Sequence, residues 1–139
     1  MRVLHRLVRY HRHILDEKRR DLRALEEHAV AVETAIENLD DSVILEQRIA
    51  KQSSEALGAY GMFARAALDR RATLLGALSE ANSAVDAARD ELLDVFAEVK
   101  RYEISLENQK REEQEERDRQ LQGQIDESAL NLYRRRDQG

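Results

Sequence analysis

The sequence contains no cysteine, no proline and no tryptophan, and it has only five glycines and six aromatic residues in 139 positions. Each shortage excludes something. Without cysteine there is no disulfide framework, no thiolate chemistry and no Cys-type zinc site, so the chain is compatible with a reducing compartment. Without proline the commonest interruption of a long helix is missing. With so few aromatic side chains there is too little bulky apolar material for a thick globular core. The opening "MRVLHRLVRYHRH" breaks each apolar pair with Arg or His and so lacks the continuous run of a signal peptide. Nothing later approaches the roughly 18 apolar residues of a membrane span. The expectation is a cytoplasmic protein with no direct membrane insertion.

What remains is rich in Ala, Leu, Glu and Arg, a mixture that favours long helices. Charge is unevenly spread. Residues 1–23 hold eight Lys or Arg against three acids, residues 24–99 hold six against fifteen, and residues 100–139 hold nine against ten. A basic end suits a nucleic-acid contact, but a net charge of -5 and the lack of an aromatic platform argue against one.

Periodicity supplies the architecture. Met1, Val8, Leu15, Leu22, Ala29, Ile36, Val43, Ala50 and Leu57 recur every seven residues, and Leu4, His11, Lys18, Leu25, Val32, Leu39 and Glu46 complete a three-four alternation. A second seam runs through Leu74, Leu78, Ala81, Val85, Ala88, Leu92, Val95, Val99, Tyr102 and Leu106 with no charged interruption. These are heptad stripes, which keep one side of a helix apolar when two helices supercoil. Between them Gly58 and Gly61 bracket Ala59 and Tyr60, the strongest turn signal in a chain so poor in glycine. The expected fold is all-α, a long antiparallel two-helix coiled-coil hairpin forming one domain over residues 1–139. Helix 1 is expected at about 2–56, the turn at about 57–61 and helix 2 at about 62–136.

A reversal near Tyr60 predicts that facing positions have numbers summing to about 119. Arg2, Arg6, Arg9 and Arg12 then fall opposite Glu107, Glu112, Glu113, Glu115 and Glu116, in the stretch "ENQKREEQEERDRQ" that holds no apolar residue between Leu106 and Leu121. Two readings of that stretch stand. Its acids pair across the hairpin with the arginines, or it is a solvated surface with pairs one turn apart such as Glu107 with Arg111 and Glu113 with Arg117. Past it, Leu121, Ile125, Ala129, Leu132 and Tyr133 form a new stripe followed by three arginines at 134–136. This end of helix 2 is expected to project alone, either frayed or awaiting another protein. Gly123 within it is a candidate bend.

Catalysis finds no support. There is no Gly-rich phosphate loop, no HExxH and no Ser, His and acid set at a usable spacing. His5, His11 and His13 are six and two apart, which does not put them on adjacent turns of one face as paired metal ligands would be. Adjacent acids such as Asp40 with Asp41 and Asp126 with Glu127 diverge by about 100° on a helix. The chain is expected to be no enzyme and to hold no metal or cofactor.

The order "LVRYHRHILDEKRRDLRALEE", "AYGMFARAALDRR", "VFAEVKRYE" and "QLQGQIDESALNLYRR" resembles the FliJ family, the small coiled-coil proteins of the flagellar type III export apparatus. The similarity runs nearly the whole chain. Tyr60 and Phe63, Lys100 with Glu103, and Gln122, Ile125, Asp126, Glu127 and Ala129 carry it by their order and spacing. Leu121 and Gly123 depart from the family, which often has an acid and a basic residue there.

The resemblance implies a stalk in the pore of the hexameric export ATPase and an adaptor to the export gate membrane protein and to export chaperones. It also implies a cytoplasmic place peripheral to the membrane-embedded apparatus. It assigns ATPase contact to the end formed by both termini, through Arg2, Arg6, Arg9, Arg12, Leu121, Ile125, Glu127 and Tyr133. Gate contact falls to the opposite tip, through Tyr60, Met62, Phe63 and Leu68. Structural readings compete at each: Phe63 and Leu68 also suit a cover over the turn, and the arginines suit pairing with glutamates. A virulence-type secretion stalk, or a generic scaffold that dimerises through its seams, would share the same pattern.

Overall fold

The computed structural model describes residues 2–138, so the expectation for Met1 lies outside the described residues. Two helices account for nearly all of them: α1, Arg2–Ala50, and α2, Ser54–Gln138. They run antiparallel as an all-α two-helix hairpin. Both heptad series reappear as the packed faces. Val8, Leu15, Ala29, Val32, Ile36 and Ala50 are buried on α1, and every other named position from Leu4 to Glu46 is at least partly covered. On α2 the predicted positions from Leu74 to Leu106 are all buried or half-buried, with Val99 only 2% exposed.

The reversal is earlier than glycine placement suggested. The turn is residues 51–53, not 57–61, and both Gly58 and Gly61 lie inside α2. A cap explains why. Ser53 Oγ accepts the backbone N–H of Ala56 at 3.0 Å, which satisfies one of the orphan donors of a starting helix. Glu55 sits in that first turn, where the helix dipole favours a carboxylate, and Arg48 sits in the last turn of α1. The α2 seam also begins before the glycines, with Ala56, Tyr60, Phe63, Ala64, Ala67 and Arg71 on the covered face. Burial along that face outweighs the helix cost of about 1 kcal/mol per glycine. Leu57, the last member of the first heptad series and expected in the turn, is instead an exposed residue of α2.

Packing divides the chain into two compact units. The unit of residues Ile14–Val95 centres on Ala29, Ala81 and Val85, with Leu22 and Leu25 against them. Two of the three buried residues of this cluster are alanines, so the core is thin. Three cross-helix ion pairs flank it: Lys18–Glu91 at 2.6 Å, Arg71–Asp40 at 2.9 Å and Arg89–Glu26 at 3.5 Å. Their numbers sum to 109, 111 and 115, below the expected 119, because the chain turns earlier than Tyr60.

The second unit combines the segment up to His13 with the segment from Phe96 onward. There Val8 and Val99 are buried, His11 stacks on Tyr102 with ring centroids 4.6 Å apart, and Arg12 reaches Glu103 at 3.0 Å. Tyr10 meets His11 edge-on, so the polar His11 is held in the seam by two aromatic rings. The dry seam ends near Gln109, whose side-chain oxygen is buried without a partner among the described residues. Glu113 is the last partly covered residue, and every described residue from Gln114 to Gln138 is exposed. α2 runs unbroken through Gly123, whose φ is not positive.

Candidate functional site

No group of three or more metal-type ligands forms among the described residues. No helix among them is long and apolar enough to cross a membrane. Three outer faces bear the expected site residues.

The first is the basic face of α1. Successive residues on a helix are rotated by about 100°, so Arg2, Arg6, Arg9 and Arg12 share one side, turned away from the seam positions Leu4, Val8, His11 and Leu15. All four are exposed. None of them forms an ion pair with Glu107, Glu112, Glu113, Glu115 or Glu116 among the described residues. Arg12 instead donates to Glu103, from Nε at 3.1 Å and from Nη2 at 3.0 Å, and Lys100 donates to the other oxygen at 3.2 Å. Arg2, Arg6 and Arg9 make no ion pair among the described residues. With facing numbers that sum to 113 and 115 in this unit, Arg2 comes level with residues 111–113. Glu115 and Glu116 thus lie past the arginine face, and the earlier turn is again the cause.

The solvated reading describes the acidic stretch, through different pairs from those expected. Glu116 binds Arg119 at 3.4 Å, Arg117 donates to Gln114 at 2.8 Å, and Gln114 donates to Asp118 at 3.0 Å. These are contacts within one helix at three- and four-residue spacing, each worth only a few tenths of a kcal/mol.

Two cations converging on Glu103 have a pH consequence. Hydrogen bonds from Arg12 and Lys100 hold its carboxyl below the ordinary value of 4.5. A depressed folded value means that the stabilisation is fully present above 4.5 and is lost as pH falls through the lower folded value. Glu91 acts oppositely on Lys18, holding its ammonium above 10.5, so the lysine keeps its charge until strong alkali. Acidification below 4.5 should therefore reduce amide-exchange protection in residues 2–13, and Glu103→Gln should show the reduced protection already at neutral pH. Equal protection in variant and wild type at neutral pH would remove Glu103 from the packing of this segment.

The second face lies on α2 near the turn. Of the four residues expected there, Tyr60 and Phe63 are half-buried on the seam side, whereas Met62, 80% exposed, and Leu68 point outward. Tyr60 and Leu68 join Val43, Ile44 and Ala64 around an open apolar groove of about 360 Å³. Asp40 and Arg71 close one side of it, Arg71 donating through Nε at 2.9 Å and Nη2 at 3.4 Å in a two-pronged pair. Met62 is on a different, flatter surface with Gly58, Gly61 and Arg65. Ile44, Asp40 and Arg71 escape a reading by heptads alone. Their signal is the register, which is set by the true turn.

The third is α2 beyond Glu113. Tyr133 falls about 120° from Leu121 around the axis, whereas Leu121 and Ile125 differ by only about 40° and share a face. Glu127 is not on that face. It lies about 200° from Ile125 and occupies the phase that, earlier in α2, faces α1.

Comparison with protein-family descriptions, with curated proteins and with solved structures finds no match to this chain.

Proposed function

We propose that the chain is a non-enzymatic component of a flagellar-type protein export apparatus. It acts as the central stalk of the hexameric export ATPase and as an adaptor to the export gate and export chaperones. The observation that carries the reading is an exposed end of α2, past the last covered residue, with Leu121, Ile125 and Leu132 on one face. A two-helix element that continues as one helix offers a ring pore a narrow insert with an apolar handle. The ordered residues Tyr60, Phe63, Lys100, Glu103 and Gln122 to Ala129 add the resemblance to the FliJ family. Exposed arginines on α1 supply a second, charged contact of the kind that steers association.

The test is to mix the chain with the export ATPase of its own organism and measure hexamer assembly and ATP hydrolysis. Both are expected to rise, and Leu121→Asp with Ile125→Asp should abolish the rise without loss of helix content. Absence of any complex and of any stimulation would sink the stalk reading. Running the flagellar and the virulence-type ATPase side by side separates the two systems.

A further inference from the structure

The stripe past Glu113 faces the wrong way to be a continuation of the hairpin seam. On α2 the positions covered by α1 follow a three-four alternation through Leu92, Val95, Val99, Tyr102, Leu106, Gln109 and Glu113. Continued, that alternation falls on Glu116, Gln120, Gly123, Glu127, Leu130, Arg134 and Asp137, of which only Leu130 is apolar. Leu121, Ile125 and Leu132 lie about 150° away from that line. A longer first helix would therefore meet the polar side and leave these three as they are, at 57%, 53% and 64% exposure.

We propose that this face pairs with the same face of a second copy of the chain, antiparallel, through residues 114–138. The charge pattern selects the partner and the direction. Asp118, Leu121, Ile125, Ser128, Leu132 and Arg135 are spaced three and four apart and form one heptad line. Two such lines running in opposite directions set Leu121 beside Leu132 of the second copy and Ile125 beside its Ser128. They also set Asp118 beside its Arg135. On the flanks Glu115 comes opposite Arg136, and Gln124 opposite Asn131. Every charged position in the line meets its opposite, and two-fold symmetry repeats each pair. A parallel arrangement sets Asp118 against Asp118 and Arg135 against Arg135, with like charges in contact. Arg135 and Arg136 form no ion pair within their own chain among the described residues, so antiparallel pairing supplies acceptors they lack. The seam facing α1 stays covered throughout, because the two faces are on opposite sides of α2.

This pairing does not depend on the stalk reading: the mass of the chain alone decides it, and the ATPase mixture decides the other. Sedimentation of the full chain up to roughly 200 µM, where weak association registers, is expected to approach twice 16.1 kDa. R135E/R136E places acid against Asp118 and Glu115 of the second copy and should weaken self-association about tenfold. E115R/D118R should do the same with bases. An equimolar mixture of the two variants should pair again, since each supplies what the other lost. The chain has no cysteine of its own, so L121C mixed with L132C should cross-link on oxidation while L121C alone should not. A mass of 16.1 kDa at every concentration overturns the proposal. Failure of the mixed variants to pair overturns it as well, and so does self-cross-linking of L121C, which reports the parallel arrangement.

Discussion

Val85→Asp is expected to destabilise the unit of residues Ile14–Val95 by about 3 kcal/mol or more, the largest effect of any substitution considered for the fold. Val85 is 6% exposed and packs with Ala29, Ala81, Leu22 and Leu25. Truncation to Ala removes two methyl groups from a shallow core and should cost only about 1–2 kcal/mol. Aspartate removes the same area and also brings a carboxylate to the dry line between two helices. Arg89, one turn on, is already engaged by Glu26 at 3.5 Å, so capturing the new charge would break a cross-helix pair. Urea unfolding followed by circular dichroism measures the loss. A decrease below about 1 kcal/mol would mean that position 85 is wetter than its burial implies.

That fragility follows from the composition. A chain with six aromatic residues stabilises its helices through a single line of contacts on each, and the surrounding ion pairs are exposed. Exposed pairs add about 0 to 1 kcal/mol apiece. Their geometric role is larger than their energetic one. Lys18 and His11 are polar members of a largely apolar series, and each is matched across the helices, Lys18 by Glu91 and His11 by Tyr102. A slip of one heptad would leave both without those partners. The polar positions thereby specify the register that the repeating apolar positions leave open.

Much of the fold was legible in the sequence because heptads report one face of one helix, and α1 and α2 each carry an unbroken series. Every seam position named on α2 from Leu74 to Leu106 is covered. The turn was not legible from glycine alone. Gly58 and Gly61 are the conspicuous residues, but Ser53 is the one that starts the helix, through a single side-chain hydrogen bond that composition does not reveal. That displacement of several residues passes into everything that depends on register. It moves Arg12 onto Glu103, leaves Glu115 and Glu116 beyond the arginines, and builds the groove at Tyr60 and Leu68 with Ile44 and Arg71. At the far end of α2 the apolar residues were visible as a stripe, but their side was not. Only the phase of the covered residues before Glu113 shows that Leu121 and Ile125 turn away from the seam and that Glu127 does not share their face.

The second large effect is a gain. Gly58→Ala and Gly61→Ala should each stabilise the chain by about 1 kcal/mol, and the double variant by about 2. Both glycines are helical, neither has a positive φ, and a Cβ added at either position meets nothing within 4 Å. Alanine then lowers the backbone entropy lost on folding at no steric cost. The sign of the effect discriminates between two places for the reversal. Were the chain to turn at 57–61, alanine would strain a backbone that needs glycine there, and the double variant would lose stability. With the cap at Ser53, both substitutions fall in the first turns of α2, where nucleation is costly and a better helix former has most to contribute. A rise of several degrees in the thermal midpoint, with the urea dependence unchanged, is the expected readout. A fall would move the turn back to the glycines, and with it the register that pairs Arg71 with Asp40.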